Sequence, residues 1–340
     1  MSGRPGVIVP PPVTAARELV EPVLRAAVSR LDPVTARVAA YHLGWADADG
    51  RPAPSGGGKA LRPALAVLSA RAAAAADCLH AAAATELVHA FSLLHDDIMD
   101  GDATRRHRRA AWAVFGEPAA ILAGDALLAL AGELLLEDDC PGHARAARLL
   151  AVTVRDLIAG QALDLEFERR DDVTLDECLR MAAGKTGSLI ACACSIGAVA
   201  VDGPVPLAGA LSAFGAEVGL AFQLADDLLG IWGAPAATGK PVLSDLRSRK
   251  KSLPIVAALT SGTRAGDRLA ALLAAPGPLP EATLRQAAAL VEEAGGRAWA
   301  EAEAKHRLDA AGRHLAAAGL PPAVHADLLD IARFLTSRGH

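Results

Sequence analysis

Apolar residues along this chain recur three and four positions apart far more often than they alternate, and its long Ala- and Leu-rich stretches hold few Val or Ile. That spacing predicts helices over roughly 14–43, 62–75, 77–100, 117–136, 143–169, 174–183, 185–201, 206–232, 251–261, 265–274, 281–315 and 321–337. The first is expected to break near Pro22 and Pro33. Turn signals separate several of the others: Pro141-Gly142, Gly203-Pro204, Pro276-Gly277-Pro278 and Gly319 to Pro322. No strand-like alternation persists, no repeat of fixed period is visible, and no linker divides the chain. The expectation is an all-α protein, with a loose tail over 1–13 and a single large helical domain over 14–340.

Composition narrows this reading. The chain has 340 residues, 52% of them hydrophobic and 21% charged, enough to bury a sizeable core. Its net charge of −5 gives no reason to expect nucleic acid as a partner. The start, MSGRPGVIVPPPV, has no apolar stretch of signal-peptide length. The longest uncharged apolar runs, such as IACACSIGAVAV at 190–201, are too short to span a bilayer, so no stable membrane anchor is expected. Cys78, Cys140, Cys178, Cys192 and Cys194 are odd in number and form no metal-type CxxC pair. They fit small buried thiols in a reducing cytoplasm.

Candidate chemistry begins at LLHDDIMDGDATRRHRR, residues 93–109. Asp96 and Asp100 share one helix face with Asp97 beside them, and burying unpaired carboxylates is costly unless a cation compensates. A second acidic tract, FQLADDLLGIWG, supplies Asp226 and Asp227 on another strongly apolar helix. Two such tracts facing each other would suit a hard divalent cation, and Mg²⁺ commonly bridges one or two carboxylates to a phosphate. Basic residues lie near both tracts: Arg105 and Arg106 after the first, Lys240 and Lys250 after the second, Lys59 and Arg62 in the glycine-rich GGGKALRP. Glycine loops let backbone amides approach phosphate oxygens, and Arg supplies forked donors. Together they suggest two anionic groups, one held through Mg²⁺ and one held directly.

These motifs, in the order GGGKALRP, ELVHAFSLLHDDIMD with TRR, GQALDL, Lys185-Thr186, FQLADDLLG, GKP and RKKS, resemble those of the trans-isoprenyl diphosphate synthase (polyprenyl synthetase) family, which includes farnesyl and geranylgeranyl diphosphate synthases. The resemblance spans about residues 50 to 260. It implies an isoprenoid synthase-like helical bundle with a central apolar pocket, usually assembled as a homodimer. It also implies two or three Mg²⁺ ions, with isopentenyl diphosphate and an allylic diphosphate as substrates. On this resemblance Asp96, Asp97 and Asp100 form the first metal-binding motif, and Asp226, with Asp227, the second. Arg105, Lys185 and Lys240 grip the allylic diphosphate, with Lys250 among the cations beyond the second motif. Lys59, Arg62, His89 and Arg106 form the isopentenyl diphosphate pocket. Thr186 and Gln223 lie near the reacting carbons, and Gln161 and Asp164 lie on the helix facing the first motif.

The implied reaction needs no nucleophilic side chain. Neutralised diphosphate leaves, the isopentenyl double bond attacks the allylic cation, and proton loss lengthens the chain by five carbons. Gly230 stands where many members carry a third Asp, and Ala234 replaces an acid often found beyond it. If that carboxylate matters, Gly230→Asp is expected to lower the Mg²⁺ requirement. Residues four and five before Asp96, Ser92 and Phe91, lie roughly 6–7.5 Å deeper along the helix. One aromatic at this depth resembles the pattern of C20 producers, so geranylgeranyl diphosphate is the expected product. The alternatives are farnesyl diphosphate synthesis, a terpene cyclase on the same fold, and a non-catalytic subunit of a heteromeric synthase. Lys59, Arg62 and Arg106 argue against a cyclase, and the intact DDIMD argues against a non-catalytic subunit.

Overall fold

The computed structural model describes residues 9–53, 58, 60–75, 78–106, 108–137, 142–233 and 242–336, and it is helical almost throughout. Backbone contacts group the chain into two compact units. One comprises Met1–Ala151, Cys192–Ser212 and Ala318–Phe334, the other Val152–Ala191, Ala213–Ala317 and Leu335–His340.

The first unit opens with α1 (Pro11–Val28), α2 (Pro33–His42), α3 (Leu61–Ala72) and α4 (Leu79–Met99). The expected break at Pro22 does not occur. A proline inside a helix costs about 3 kcal/mol, yet Val13, Ala16, Val20, Leu24 and Ala27 form a buried stripe along α1 that holds it straight on α3 and α4. Pro33 does start a helix, with the Asp32 carboxylate accepting from the Val34 and Thr35 N–H groups.

Helix α4 is the centre of this unit, packed against α1, α3 and α6 (Glu117–Leu134). Ala81 to Ala84, Leu87, Val88, Ala90 and Leu94 are all buried, so nearly its whole circumference is core. Between α4 and α6 lies an element that alternation did not announce. Strands β1 (Thr104–Arg105) and β2 (Arg108–Arg109) pair antiparallel, and α5 (Ala111–Phe115) follows. Each strand is two residues long, too short to leave a period-two pattern. Helix α7 (His143–Phe167) begins in this unit.

The second unit holds α8 (Leu175–Ala182), a π-turn (Ala183–Gly187) leading directly into α9 (Ser188–Ala200), which from Cys192 on belongs to the first unit, and most of α10 (Val205–Trp232). It continues with α11 (Ser244–Arg247), α12 (Leu253–Leu259), α13 (Arg264–Leu273), α14 (Glu281–Glu293) and α15 (Gly296–Ala317), while α16 (Pro322–Thr336) returns to the first unit. The helix expected over 281–315 is split, because Gly295 adopts φ +86° and ends α14 in a left-handed turn. Thr174 and Glu177 start α8 with a reciprocal capping box. Phe167, Cys178, Met181, Leu224, Leu253 and Val256 form one core cluster; Ile231, Leu246, Ile255, Leu269, Leu284 and Val291 form another.

Two segments, Leu175–Ala200 and Val205–Trp232, are long and apolar enough to cross a membrane. Uncharged runs alone did not reveal this, because Lys185, Asp226 and Asp227 interrupt them. Those same interruptions are the residues with candidate chemistry.

Candidate active site

In the first unit, Asp97 is buried, and the Arg105 fork closes on it. Nε donates to both carboxylate oxygens at 2.7 and 2.9 Å, and Nη2 lies 2.7 Å from Oδ1. Burial raises the Asp97 pKa against the opposing pull of Arg105. Asp96 is partly buried and Asp100 exposed at the end of α4, so the three carboxylates grade from core to solvent within one turn. The ribbon delivers Arg105: the left-handed Arg106 (φ 50°) turns the chain between the strands. Arg108 stacks on the Tyr41 ring at 4.2 Å, and the Tyr41 hydroxyl donates to the Arg109 carbonyl at 2.8 Å. A shallow cleft here is lined by Tyr41, His42, Asp97, Arg105, Arg106 and Arg108.

A second basic group gathers around the start of α3. Gly58 packs so closely on Arg106 and Glu86 that a side chain there would meet Nη2 at 3.1 Å and Oε1 at 3.2 Å, and its carbonyl accepts from Arg17. Glu86 is buried, and burial raises its pKa while Arg62, Arg106 and Arg17 oppose the rise. His89, one turn along α4, is held neutral by burial and by Arg62, Arg106 and Arg105, its pKa pushed well below the usual value. Arg62, His89 and Arg106 therefore share one electrostatic neighbourhood. Arg17 and Glu86 belong to it too, and sequence reading missed both. The signal for Glu86 was a carboxylate three residues before His89 on an otherwise apolar helix.

In the second unit, glycines set the positions. Gly160 on α7 lies against the backbone of Gly184 and Lys185; a side chain there would fall 2.7 Å from the Gly184 carbonyl carbon. One turn on, Asp164 forms an ion pair with Lys185. Gly219 on α10 packs as closely on Gly187: a β-carbon at 219 would fall 2.6 Å from the Gly187 Cα. One and two turns further along α10 follow Gln223 and Asp227. The Thr186 hydroxyl donates to Gln223 Oε1 at 2.6 Å, Gln223 Nε2 donates to Asp227 Oδ1 at 2.7 Å, and the Leu253 N–H donates to Asp227 Oδ2 at 2.9 Å. Both Asp227 oxygens thus accept internal hydrogen bonds, and burial pushes its pKa up to about 7. Lys250 is surrounded by Asp164, Asp227, Asp245 and Asp226, which raise its pKa above the ordinary lysine value despite opposing burial.

Asp245 was also missed. Its carboxylate occupies the space beside Gly230: a β-carbon at 230 would lie 2.5 Å from Asp245 Oδ1, and Ser244 Oγ donates to the Gly230 carbonyl at 3.1 Å. The position read as lacking a carboxylate therefore has one beside it, supplied from α11. Lys59, Lys240 and Ala234 lie outside the described residues.

Among the described residues, no three His, Cys, Asp or Glu side chains converge closely enough to hold an ion by themselves. The carboxylates present are oxygen donors of the kind Mg²⁺ takes one or two at a time, beside water and phosphate oxygens. The buried Gln161 carboxamide also has neither its oxygen nor its nitrogen satisfied, which suits a site completed by a polar ligand.

Comparisons with known proteins agree with this geometry. The sequence pattern of the family described as polyprenyl synthetase matches residues 51–291. The chain is 48% identical to a (2E,6E)-farnesyl diphosphate synthase of Mycobacterium tuberculosis, over 96% of this chain and 93% of that one. It is 45% identical to a geranylgeranyl diphosphate synthase of the same organism, over 93% and 90%. A crystal structure of polyprenyl synthetase from Streptomyces coelicolor A3(2) superposes with a TM-score of 0.91 at 51% identity, covering 95% of this chain and 98% of that one. Buried carboxylates paired with cations, on apolar helices of this all-α fold, accord with these matches, and the chain belongs to the polyprenyl synthetase family.

Proposed function

We propose that this short-chain trans-prenyltransferase uses Mg²⁺ and makes geranylgeranyl diphosphate as its main product. Its substrates are isopentenyl diphosphate and an allylic diphosphate. The observation that carries the product length is Phe91: of the two residues below Asp96 it alone is aromatic, it is buried, and Ser92 turns its hydroxyl back to the His89 carbonyl at 2.9 Å. Relatives named for farnesyl and for geranylgeranyl diphosphate are nearly equally similar, so this pair of side chains decides between the two products.

Roles for the other residues follow from the geometry and the family resemblance. Asp96, Asp97, Asp100 and Asp226 would hold two or three Mg²⁺ ions; when bound, these neutralise the leaving diphosphate. Asp227 would join them, and its two hydrogen-bonded oxygens also hold Gln223 and the start of α12 in place. Arg105 spends Nε and Nη2 on Asp97 and keeps Nη1 for phosphate; Lys185 pairs with Asp164 and retains further N–H donors. Lys240 would join them on the allylic diphosphate, and Lys250 would keep the second acidic tract charged and ordered. Lys59, Arg62, His89 and Arg106 would receive isopentenyl diphosphate, with neutral His89 as a hydrogen-bonding group. Thr186 and Gln223 would line the reacting carbons, where the released diphosphate accepts the proton.

The chain would act as one prenyltransferase domain and assemble as a homodimer, supported by exposed Ile121 and Leu122 on α6 and Val152 and Ile158 on α7. Cytoplasmic location is supported by the buried, reduced thiols of Cys78, Cys178, Cys192 and Cys194. The test is to incubate the purified protein with isopentenyl diphosphate and each allylic primer, then chromatograph the dephosphorylated products. C20 should dominate. Asp96→Ala or Asp226→Ala should lower turnover by about two to three orders of magnitude. Mainly C15 products, or normal rates with excess chelator, would overturn the reading.

A further inference from the structure

His95 sits beside the first acidic motif, yet its ring is turned towards α6. The imidazole meets Phe91, one turn earlier on α4, edge to face, with ring centroids 4.8 Å apart and planes at 69°. Its Nε2–H donates to the Ile121 carbonyl at 3.1 Å, and the same nitrogen lies 3.8 Å from the Asp125 carboxylate. Gly124, between those two residues, leaves the room the ring needs: a β-carbon there would fall 2.6 Å from His95 Cδ2. Hydrogen bond, carboxylate and notch thus fix the imidazole, and the imidazole fixes one side of Phe91.

We propose that His95 is a specificity-determining residue, seated by Gly124, that holds Phe91 at its depth and so limits the length of the prenyl chain. The inference rests on reading Phe91 as the floor of the prenyl pocket. A lone phenyl ring can swing about χ1 under a growing tail, whereas a ring backed by a pinned imidazole cannot yield without breaking the Ile121 contact. Length control then lies in a triad spanning two helices, of which Phe91 is the face that meets the substrate and His95 the support.

Product distributions of the full-length enzyme, read by chromatography after dephosphorylation, test this. His95→Ala and His95→Gln, the latter keeping a donor for Ile121 but no ring, should each give a several-fold rise in products longer than the parent's. Gly124→Ala, away from the carboxylates, should displace the ring and shift the distribution as well; it carries the test if a His95 variant fails to fold. In a Phe91→Ala background, His95→Ala should add no further lengthening. If Phe91→Ala lengthens products while the His95 and Gly124 variants keep the parent distribution, the support role is overturned and the floor stands. If Phe91→Ala itself changes nothing, the floor reading fails first. Additive lengthening in the double variant would mean that His95 meets the chain directly, which also overturns the proposal.

Discussion

Arg105 in the first unit and Lys185 in the second are each paired with an aspartate, but by different chemistry. Arg105 makes a planar, multiply bonded fork with a carboxylate that is 1% exposed. Lys185 makes a single contact with Asp164, whose side chain is 15% exposed. The fork fixes direction and tolerates dryness; the ammonium is a point charge that can rotate its remaining donors. The wider surroundings differ in the same sense. Around His89 three arginines gather and the imidazole stays neutral, whereas around Lys250 four carboxylates converge. The surroundings of His89 and of Lys250 thus carry opposite local charge.

The largest expected effect breaks the fork. Arg105→Ala leaves Asp97 buried and uncompensated, a loss of about 3–5 kcal/mol, and should raise the KM for the allylic substrate or lower kcat. Arg62→Ala should act chiefly on the KM for isopentenyl diphosphate. Arg105→Lys should recover only part of the stability, since one ammonium cannot reproduce the fork. Thermal melts and steady-state kinetics with each substrate varied would check this; equal stability of the Ala and Lys variants would remove the distinction between the two pairs.

A middle-sized effect sharpens the acidic side. With Asp245 already beside position 230, Gly230→Asp should not lower the Mg²⁺ requirement, contrary to what the sequence alone suggests. It crowds one carboxylate against another and should destabilise by about 1–3 kcal/mol. Gly230→Asp combined with Asp245→Ser relocates the charge and should return both stability and Mg²⁺ titration close to the parent. Failure of the pair to rescue would separate the two positions.

The last and most gradual effect concerns pH. Burial, with the charges of Arg105, Arg106 and Arg108, pushes the His42 pKa down to about 3, below its unfolded value near 6.5. The unfolded chain therefore binds a proton that the folded one refuses. Stability is fully present above pH 6.5 and is lost as pH falls towards 3, by at most about 1.4 kcal/mol per pH unit. His42→Gln should flatten this slope between pH 6.5 and 5, as followed by denaturant unfolding.

Legibility in the sequence followed period and charge. Long helices such as α4 and α10 announce themselves through Ala and Leu at helical spacing, and the carboxylates stand out because they interrupt apolar runs. Arg17 and Asp245 were hidden because each reaches its neighbours through the fold rather than along its own element: Arg17 through the Gly58 carbonyl, Asp245 through the vacancy at Gly230. The ribbon was too short to show a period. Pro22 misled because burial of α1 outweighs a local preference that sequence reading weighs alone.

The π-turn at Ala183–Gly187 has a consequence for how this chain can vary. Such a turn holds one residue more than an α-helical turn, and the extra residue widens the turn locally. Within this widened turn Lys185 points to α7 and Thr186 to α10. Deleting a single residue there would restore regular winding and leave the composition of the helix almost untouched. It would also close the widened turn from which both side chains reach out, so that the Lys185–Asp164 and Thr186–Gln223 pairs could not both form. Exchanges of side chain are graded in their effect at this site, whereas a change of length is all or nothing.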